Sequence, residues 1–387
     1  MRIAQVAPLI ESVPPKLYGG TERVVANLVA ELTAMGHDVT LYASGDSRTS
    51  GRLISIVEQA LWTVGAPSND LAYHTIELSR VLRDAADFDI IHSHLDFPAY
   101  PYGRVSPTPW IHTMHGRLDA AELQPLYREY SETPIVSISN SQRKPLAGAN
   151  WIATVYNGID TTRIPTGSGQ GGYLAFLGRI SPEKGVAEAI EVARRVGMPL
   201  KIAARMPLTN LDNEWVRADW AYYNEQVRPL LDDPLVEFIG EVDDAGKYEL
   251  LKDASALLFP INWPEPFGLV MIEALACGTP VIARAIASAP EVIKDARTGF
   301  LCDTLDAMVA ACSRIGEIDR AECRREAEQR FSARSMALGY LDAYRAVADA
   351  RACGSGLMSD LDDFFGDQPS PNALRHHIDA WAIPAES

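Results

Sequence analysis

The stretch YLAFLGRISPEKGVAEAIEVARRVG, Tyr173 to Gly197, decides the fold class. YLAFLGRI is a short apolar run with the length of a buried strand. PEKGVAEAIEVARRVG reads as a helix that stops at Gly197. Strand, loop and helix in that order predict a parallel sheet with helices packed on it. Downstream the pattern repeats. LKIAAR, LVEFIG, ALLFPI and TPVIARA read as strands, with helices between them at about 244–253 and 268–277. Upstream a first series does the same. RIAQVAPL is a strand, followed by a loop with Pro14, Pro15, Gly19 and Gly20. TERVVANLVAELTAMG then has apolar residues at 24, 25, 28, 29, 32 and 35, which is helical spacing. Thr21 is expected as its N-cap and Gly36 as its stop. DVTLYAS, DIIHSH, WIHTMHG and PIVSISN continue the strands. The two series flank YNGIDTTRIPTGSGQGG, the best linker in the chain.

The expected architecture is therefore α/β, with two Rossmann-like, doubly wound parallel-sheet domains facing across a cleft. The first covers 1–165 and the second 166–331. A terminal helix at 332–352 precedes an acidic tail at 353–387 with six acids and one base. A chain of 387 residues is long enough for two hydrophobic cores. Ligands in such sheets bind beyond the carboxyl ends of the strands, so the shared cleft is the expected site.

Net charge is −16, which argues against nucleic acid as a partner. The five cysteines include no CxxC pair and read as reduced thiols. MRIAQVAPL is read as a strand with no signal peptide before it, and no apolar run is long enough to span a bilayer. These features lead us to expect a soluble, cytoplasmic protein without a strong membrane signal.

Three segments carry chemistry. In YGGTE, Tyr18 to Glu22, Gly19 and Gly20 open a helix, so backbone N–H groups can approach a phosphate closely. In GRISPEKG, Arg179 and Lys184 stand five residues apart at a strand's carboxyl end, an arrangement that suits a diphosphate. In WPEPFGLVMIE, Trp263 to Glu273, a rigid loop holds Glu265 and Gly268 starts a helix. The N–H groups of Gly268, Leu269 and Val270 form a second anion site there. Glu273 follows eight residues after Glu265, among apolar neighbours. A buried carboxylate needs partners, and carboxylates accept hydrogen bonds from vicinal hydroxyls. One glutamate on a sugar and one on a ribose fits a nucleotide sugar, with its diphosphate between them.

PEPFGLVMIEALACGTPVIA resembles the E-x7-E segment of the retaining family 4 glycosyltransferases, which have the GT-B fold. YGGTE, DIIHSH, TMHG, VSISNSQR, VYNGID and LGRISPEKG follow in that family's order, and the likeness covers roughly residues 1–350. The resemblance implies roles at matching positions. Gly19 and Gly20 would approach the donor phosphates. His115 would contact the transferred sugar near its anomeric carbon. Arg179 and Lys184 would neutralise the leaving diphosphate. Glu265 would bind sugar hydroxyls, aided by the N–H groups of Phe267 and Gly268, with Leu269 beside them. Glu273 would bind the ribose. His94, Glu22 and Asn157 are the acceptor-side candidates. The implied reaction moves a hexose from a nucleotide sugar, UDP-glucose before GDP-mannose, to a hydroxyl acceptor, a small soluble molecule or glycan. No essential metal or other cofactor is expected, because no DxD run has a partnering carboxylate.

Two carboxylates could instead flank a scissile bond for hydrolysis. Their place between anion sites and cations favours a departing diphosphate. A nucleotide-sugar epimerase, a phosphorylase and a non-catalytic sugar-nucleotide binding protein are the other readings. The residues leave the donor base, acceptor and oligomeric state open.

Overall fold

A computed structural model describes the backbone of residues 1–358, apart from Tyr18, 66–68 and 209–212, with side chains to Arg351. Two parallel sheets organise it. The first has strands β1 (Arg2–Val6), β2 (Asp38–Ala43), β3 (Arg52–Ser55), β4 (Ile90–Ser93), β5 (Trp110–Thr113), β6 (Ile135–Ser137) and β7 (Trp151–Thr154), in the order β3-β2-β1-β4-β5-β6-β7. The second has β8 (Leu174–Arg179), β9 (Leu200–Arg205), β10 (Val236–Gly240), β11 (Ala256–Phe259), β12 (Val281–Arg284) and β13 (Gly299–Cys302), in the order β10-β9-β8-β11-β12-β13. In both sheets the order reverses beside the first strand of the series, at β1/β4 and β8/β11. A crevice opens at such a switch point.

The central strands are wholly buried, as in β4 and β11, because helices cover both faces. β11 is accordingly an unbroken apolar run, whereas β4 carries His92 and Ser93 among its buried residues. Three strands were not expected from sequence. β3 (RLIS) and β7 (WIAT) are partly exposed edges of the first sheet, and β13 (GFLC) is an edge of the second.

The first helix runs over Gly20–Ala34 and buries Val24, Val25, Leu28, Val29 and Leu32, as its spacing predicts. Its start corrects the sequence expectation. Thr21 lies inside the helix, and the N-cap is Gly19, with no side-chain cap. Gly19 has φ +155°, and a Cβ there would stand 2.6 Å from Pro15 Cβ. Only glycine lets the chain turn so tightly against that proline loop.

Asp244–Asp253 forms a helix whose N-cap Asp243 accepts from the Gly246 N–H. Leu269–Ala276 forms the helix after Gly268. The chain passes between the sheets at residues 155–173 and returns just before the terminal helix. The two crossings lie side by side. The Ile159 N–H donates to Phe331 O at 2.9 Å, and the Ala333 N–H to Ile159 O at 2.8 Å. Gly158 has no room for a side chain, since a Cβ would lie 2.4 Å from Ser332 O.

The terminal helix, Ala333–Met358, runs six residues beyond its expected end at 352. Met336, Ala337, Tyr340, Leu341, Tyr344 and Val347 form one stripe, and it packs into the first domain's core beside Val24 and Leu28. The acidic tail from residue 359 on lies outside the described residues.

Candidate active site between the two sheets

The carboxyl ends of β1, β5, β8 and β11 open on one cleft of about 510 Å³. Arg179 ends β8, and Lys184 closes a short turn at Pro182–Lys184. Gly185 follows with φ +74°, where a Cβ would lie 2.4 Å from Pro260 O. That close approach sets Lys184 against the loop after β11. The Lys184 ammonium donates to Glu265 Oε2, and the Trp263 indole N–H donates to the same oxygen at 2.8 Å. The ammonium also sits 4.6 Å from the Trp263 ring centroid. Arg179 pairs with Glu183, and its guanidinium lies 5.2 Å from the Trp215 ring centroid. Its Nε is buried with no partner among the described residues. Burial pushes the nearby Asp219 carboxyl up to about 6, against the opposing charge of Arg179.

Gly268 has φ +83° and caps the Leu269–Ala276 helix without any side-chain cap. Uncapped N–H groups at a helix start carry partial positive charge, and Gly268, Leu269 and Val270 line the cleft. Phe267 contributes backbone to that wall. Its ring is buried, 6.0 Å from the Phe331 ring and 6.1 Å from that of Tyr156, and its carbonyl accepts from the Ser288 hydroxyl at 2.8 Å. Glu273 is 4 % exposed and faces Lys247 Nζ at 2.5 Å. Lys247 also reaches Asp244 at 2.9 Å, and Asp244 pairs with Arg23 of the first domain. Burial would raise the Asp244 carboxyl, but the Lys247 and Arg23 charges hold it below the ordinary range.

The opposite wall comes from the first domain. Gly19, Gly20, Glu22, His115 and Asn157 line it. Gly20 packs against the second domain, since a Cβ there would lie 3.6 Å from Leu269 Cδ1. Glu22 is buried, and burial, with the Glu11 charge adding, pushes its carboxyl up to about 7. Asn157 is 3 % exposed, and its Oδ1 has no partner among the described residues. The His115 backbone N–H donates to Asp96 Oδ1 at 3.3 Å, and burial lowers its imidazole to about 4, so the ring is neutral near pH 7.

Every residue singled out for the site reaches this cleft except His94. It is 2 % exposed, one layer behind His115, with its Nδ1 2.9 Å from His115 Nε2. Sequence reasoning missed Lys247, because its partner Glu273 is 26 residues away and no local spacing links them. It also missed Trp62, whose ring lies 4.6 Å below the Arg205 guanidinium of the other domain.

Two family models divide this chain much as the sheets divide it. "Glycosyltransferase Family 4" matches residues 18–163. "Glycosyl transferases group 1" matches residues 160–331. The chain belongs to glycosyltransferase family 4. This family 4 enzyme is 27 % identical over 372 residues to a glycogen synthase of Mycobacterium tuberculosis, covering 81 % of this chain and 86 % of the relative. It is 28 % identical over 350 residues to a phosphatidyl-myo-inositol mannosyltransferase of Mycolicibacterium smegmatis, covering 83 % and 86 %. Its fold is GT-B. Superposition on the sucrose-phosphate synthase of Thermosynechococcus elongatus gives a TM-score of 0.69 at 18 % identity, covering 90 % and 99 % of the two chains. Among the described residues no helix of this glycosyltransferase is long and apolar enough to cross a membrane, and no three His, Cys, Asp or Glu side chains group to hold a metal ion.

Proposed function

We propose that this glycosyltransferase moves a hexose from a nucleotide sugar to a hydroxyl acceptor, with retention at the anomeric carbon. The observation that carries the reading is the convergence of Arg179, Lys184 and the uncapped Gly268 helix start on one cleft, between Glu265 and Glu273. A leaving diphosphate gathers negative charge as the bond breaks, and preorganised cations and N–H dipoles stabilise it. Lys184 is shared between Glu265 and that diphosphate. Glu265 binds hydroxyls of the hexose, and Glu273, steadied by Lys247, binds the ribose. Gly19 and Gly20 bring backbone N–H groups to the phosphates from the other wall, beside His115. Closure of the cleft excludes water, which limits hydrolysis of the donor. Retention follows from a same-face substitution, in which the departing diphosphate guides the acceptor. Glu22, the carboxyl beside the glycine loop, is buried, and burial pushes it up to about 7.

UDP-glucose is the favoured donor and GDP-mannose the second. The relatives do not choose between them, since a glycogen synthase and a mannosyltransferase match almost equally well. A small soluble molecule or glycan is the acceptor, and no metal is required. A thermal-shift panel of nucleotide sugars tests the donor. A ligand at a hundred times its dissociation constant stabilises by about 2.7 kcal/mol, and no shift with any donor overturns the assignment. The anomeric coupling in the NMR spectrum of the product then tests retention.

A further inference from the structure

Behind the cleft, the first domain buries a set of polar side chains that the transfer reaction does not use. Gln5 on β1, His92 on β4, His94 just after it and Thr113 on β5 are each at most 2 % exposed, as are Tyr340 and Tyr344 of the terminal helix. Buried polar groups persist when hydrogen-bonded, and these are joined end to end. His115 Nε2 lies 2.9 Å from His94 Nδ1. His94 Nε2 lies 2.9 Å from Gln5 Oε1. Gln5 Nε2 donates to the Tyr344 hydroxyl at 2.9 Å. That hydroxyl is 2.8 Å from His92 Nδ1, and His92 Nε2 is 2.7 Å from Thr113 Oγ1. The Thr113 hydroxyl donates to that of Tyr340 at 2.9 Å.

The run has a direction. Burial holds His92 and His94 well below the ordinary imidazole range, so both rings are neutral. A neutral imidazole has one N–H and one bare nitrogen. The Gln5 amide nitrogen faces Tyr344, so its oxygen faces His94 and accepts from His94 Nε2–H. His94 Nδ1 is then bare and accepts from His115 Nε2–H. The remaining nitrogen of His115, Nδ1, carries a lone pair and has no partner among the described residues, and His115 lines the cleft. The Tyr344 hydroxyl, already accepting from Gln5, donates to His92 Nδ1, and His92 Nε2–H donates to Thr113. Reversing the Gln5 amide would reverse the run between Tyr344 and His115 and put the His115 proton on Nδ1.

We propose that Gln5, His94 and Tyr344 are positioning residues that fix His115 as its Nε2–H tautomer, so that the bare Nδ1 accepts a hydrogen bond from a hydroxyl of the transferred hexose. The role of the hexose rests on the function proposed above; the tautomer does not. The terminal helix, which follows the second domain in sequence, thereby sets the chemistry of a side chain in the first.

The test is a long-range 1H–15N spectrum of the full chain labelled at histidine, at pH 7.5 and without ligand, for wild type, Gln5→Met and Tyr344→Phe. Wild type should show His115 with a protonated Nε2 and a bare Nδ1. Gln5→Met keeps the volume but removes the acceptor, and should give His115 a mixture of tautomers. Tyr344→Phe keeps the ring and removes only the hydroxyl that orients Gln5, and should shift His115 the same way. With UDP-glucose as donor, both folded variants should lose about tenfold in kcat/KM, the worth of one well-placed hydrogen bond. A wild-type His115 protonated on Nδ1, or an unchanged single tautomer in both variants, overturns the proposal. The predicted tautomer in a chain that turns over no nucleotide sugar would leave the relay standing and sink the functional reading instead.

Discussion

Arg179 shows how much of the site rests on one side chain. Its guanidinium pairs with Glu183 at the end of β8 and lines the cleft. Arg179→Ala should leave the melting temperature close to wild type and lower kcat at least a hundredfold, the scale of losing one preorganised donor at a developing charge. Arg179→Lys should not restore it, because a point charge cannot reproduce a planar fork. A variant with near-normal turnover would remove Arg179 from the chemistry. Glu22 makes a different prediction. Its carboxyl has an ordinary value of 4.5 and stands at about 7 in the folded chain. The folded state therefore binds the proton more tightly, and stability falls as pH rises from 4.5 through 7. At 1.36 kcal/mol per pH unit the loss is on the order of 3 kcal/mol. Glu22→Gln carries no such proton. The variant should match wild type near pH 4.5 and melt at a higher temperature at pH 8. Parallel melting curves at both pH values would show that Glu22 titrates normally.

At the scale of elements, the Leu269–Ala276 helix is aimed by Gly268. With φ +83° and a would-be Cβ 2.9 Å from Phe259 Cζ and 2.8 Å from Met271 Cε, this position excludes any other residue without strain. Gly268→Ala should cost about 1–2 kcal/mol of stability from the left-handed backbone and the crowding. It should also weaken nucleotide-sugar binding more than tenfold, as the helix start tilts away from the phosphate. Calorimetric titration with UDP-glucose beside a melting curve checks both, and an unaltered affinity would show that the helix start is not an anion site. Most of these elements were legible from their periods. The Gly20–Ala34 helix, the Asp244–Asp253 helix and the central strands all lay where the spacing put them. The edges β3 and β7 were not among them, because Arg52, Ser55 and Thr154 keep their apolar stretches short on partly exposed strands. Thr21 failed as a cap because the loop around Pro15 leaves room only for glycine at the turn.

At the scale of the molecule, the two domains meet through apolar packing, as of Leu269 against the first domain's core, and through polar contacts. Glu291, at the start of the short helix Ala289–Val292, accepts from the Asn140 N–H at 2.8 Å, the Ser141 N–H at 2.7 Å and the Tyr156 hydroxyl at 3.1 Å. It caps the first turn of a first-domain helix with a second-domain carboxylate. Glu291→Ala should cost about 2 kcal/mol, since hydrogen bonds to a charged acceptor are the stronger kind. It should also enlarge the radius of gyration in solution scattering as the cleft opens. A variant with unchanged melting temperature and radius would show that this brace carries no weight. Arg23 with Asp244, and Arg205 over Trp62, cross the cleft at its other side. The site is therefore complete only with the domains closed on each other.

The sequence by itself determined the two alternating series, the parallel sheets they build, and the strand ends and following loops that carry Gly19, Arg179, Glu265 and Gly268. These are local properties, written in residue spacing and in the need of each strand to be covered. Tertiary structure decided the partners. Lys247 beside Glu273, Asp244 beside Arg23, and His94 placed behind His115 rather than in the cleft all join residues far apart in the chain. Such pairings follow from how the sheets stack and from where the terminal helix returns. No period in the sequence encodes them, because burial and charge pairing are set by neighbours in space.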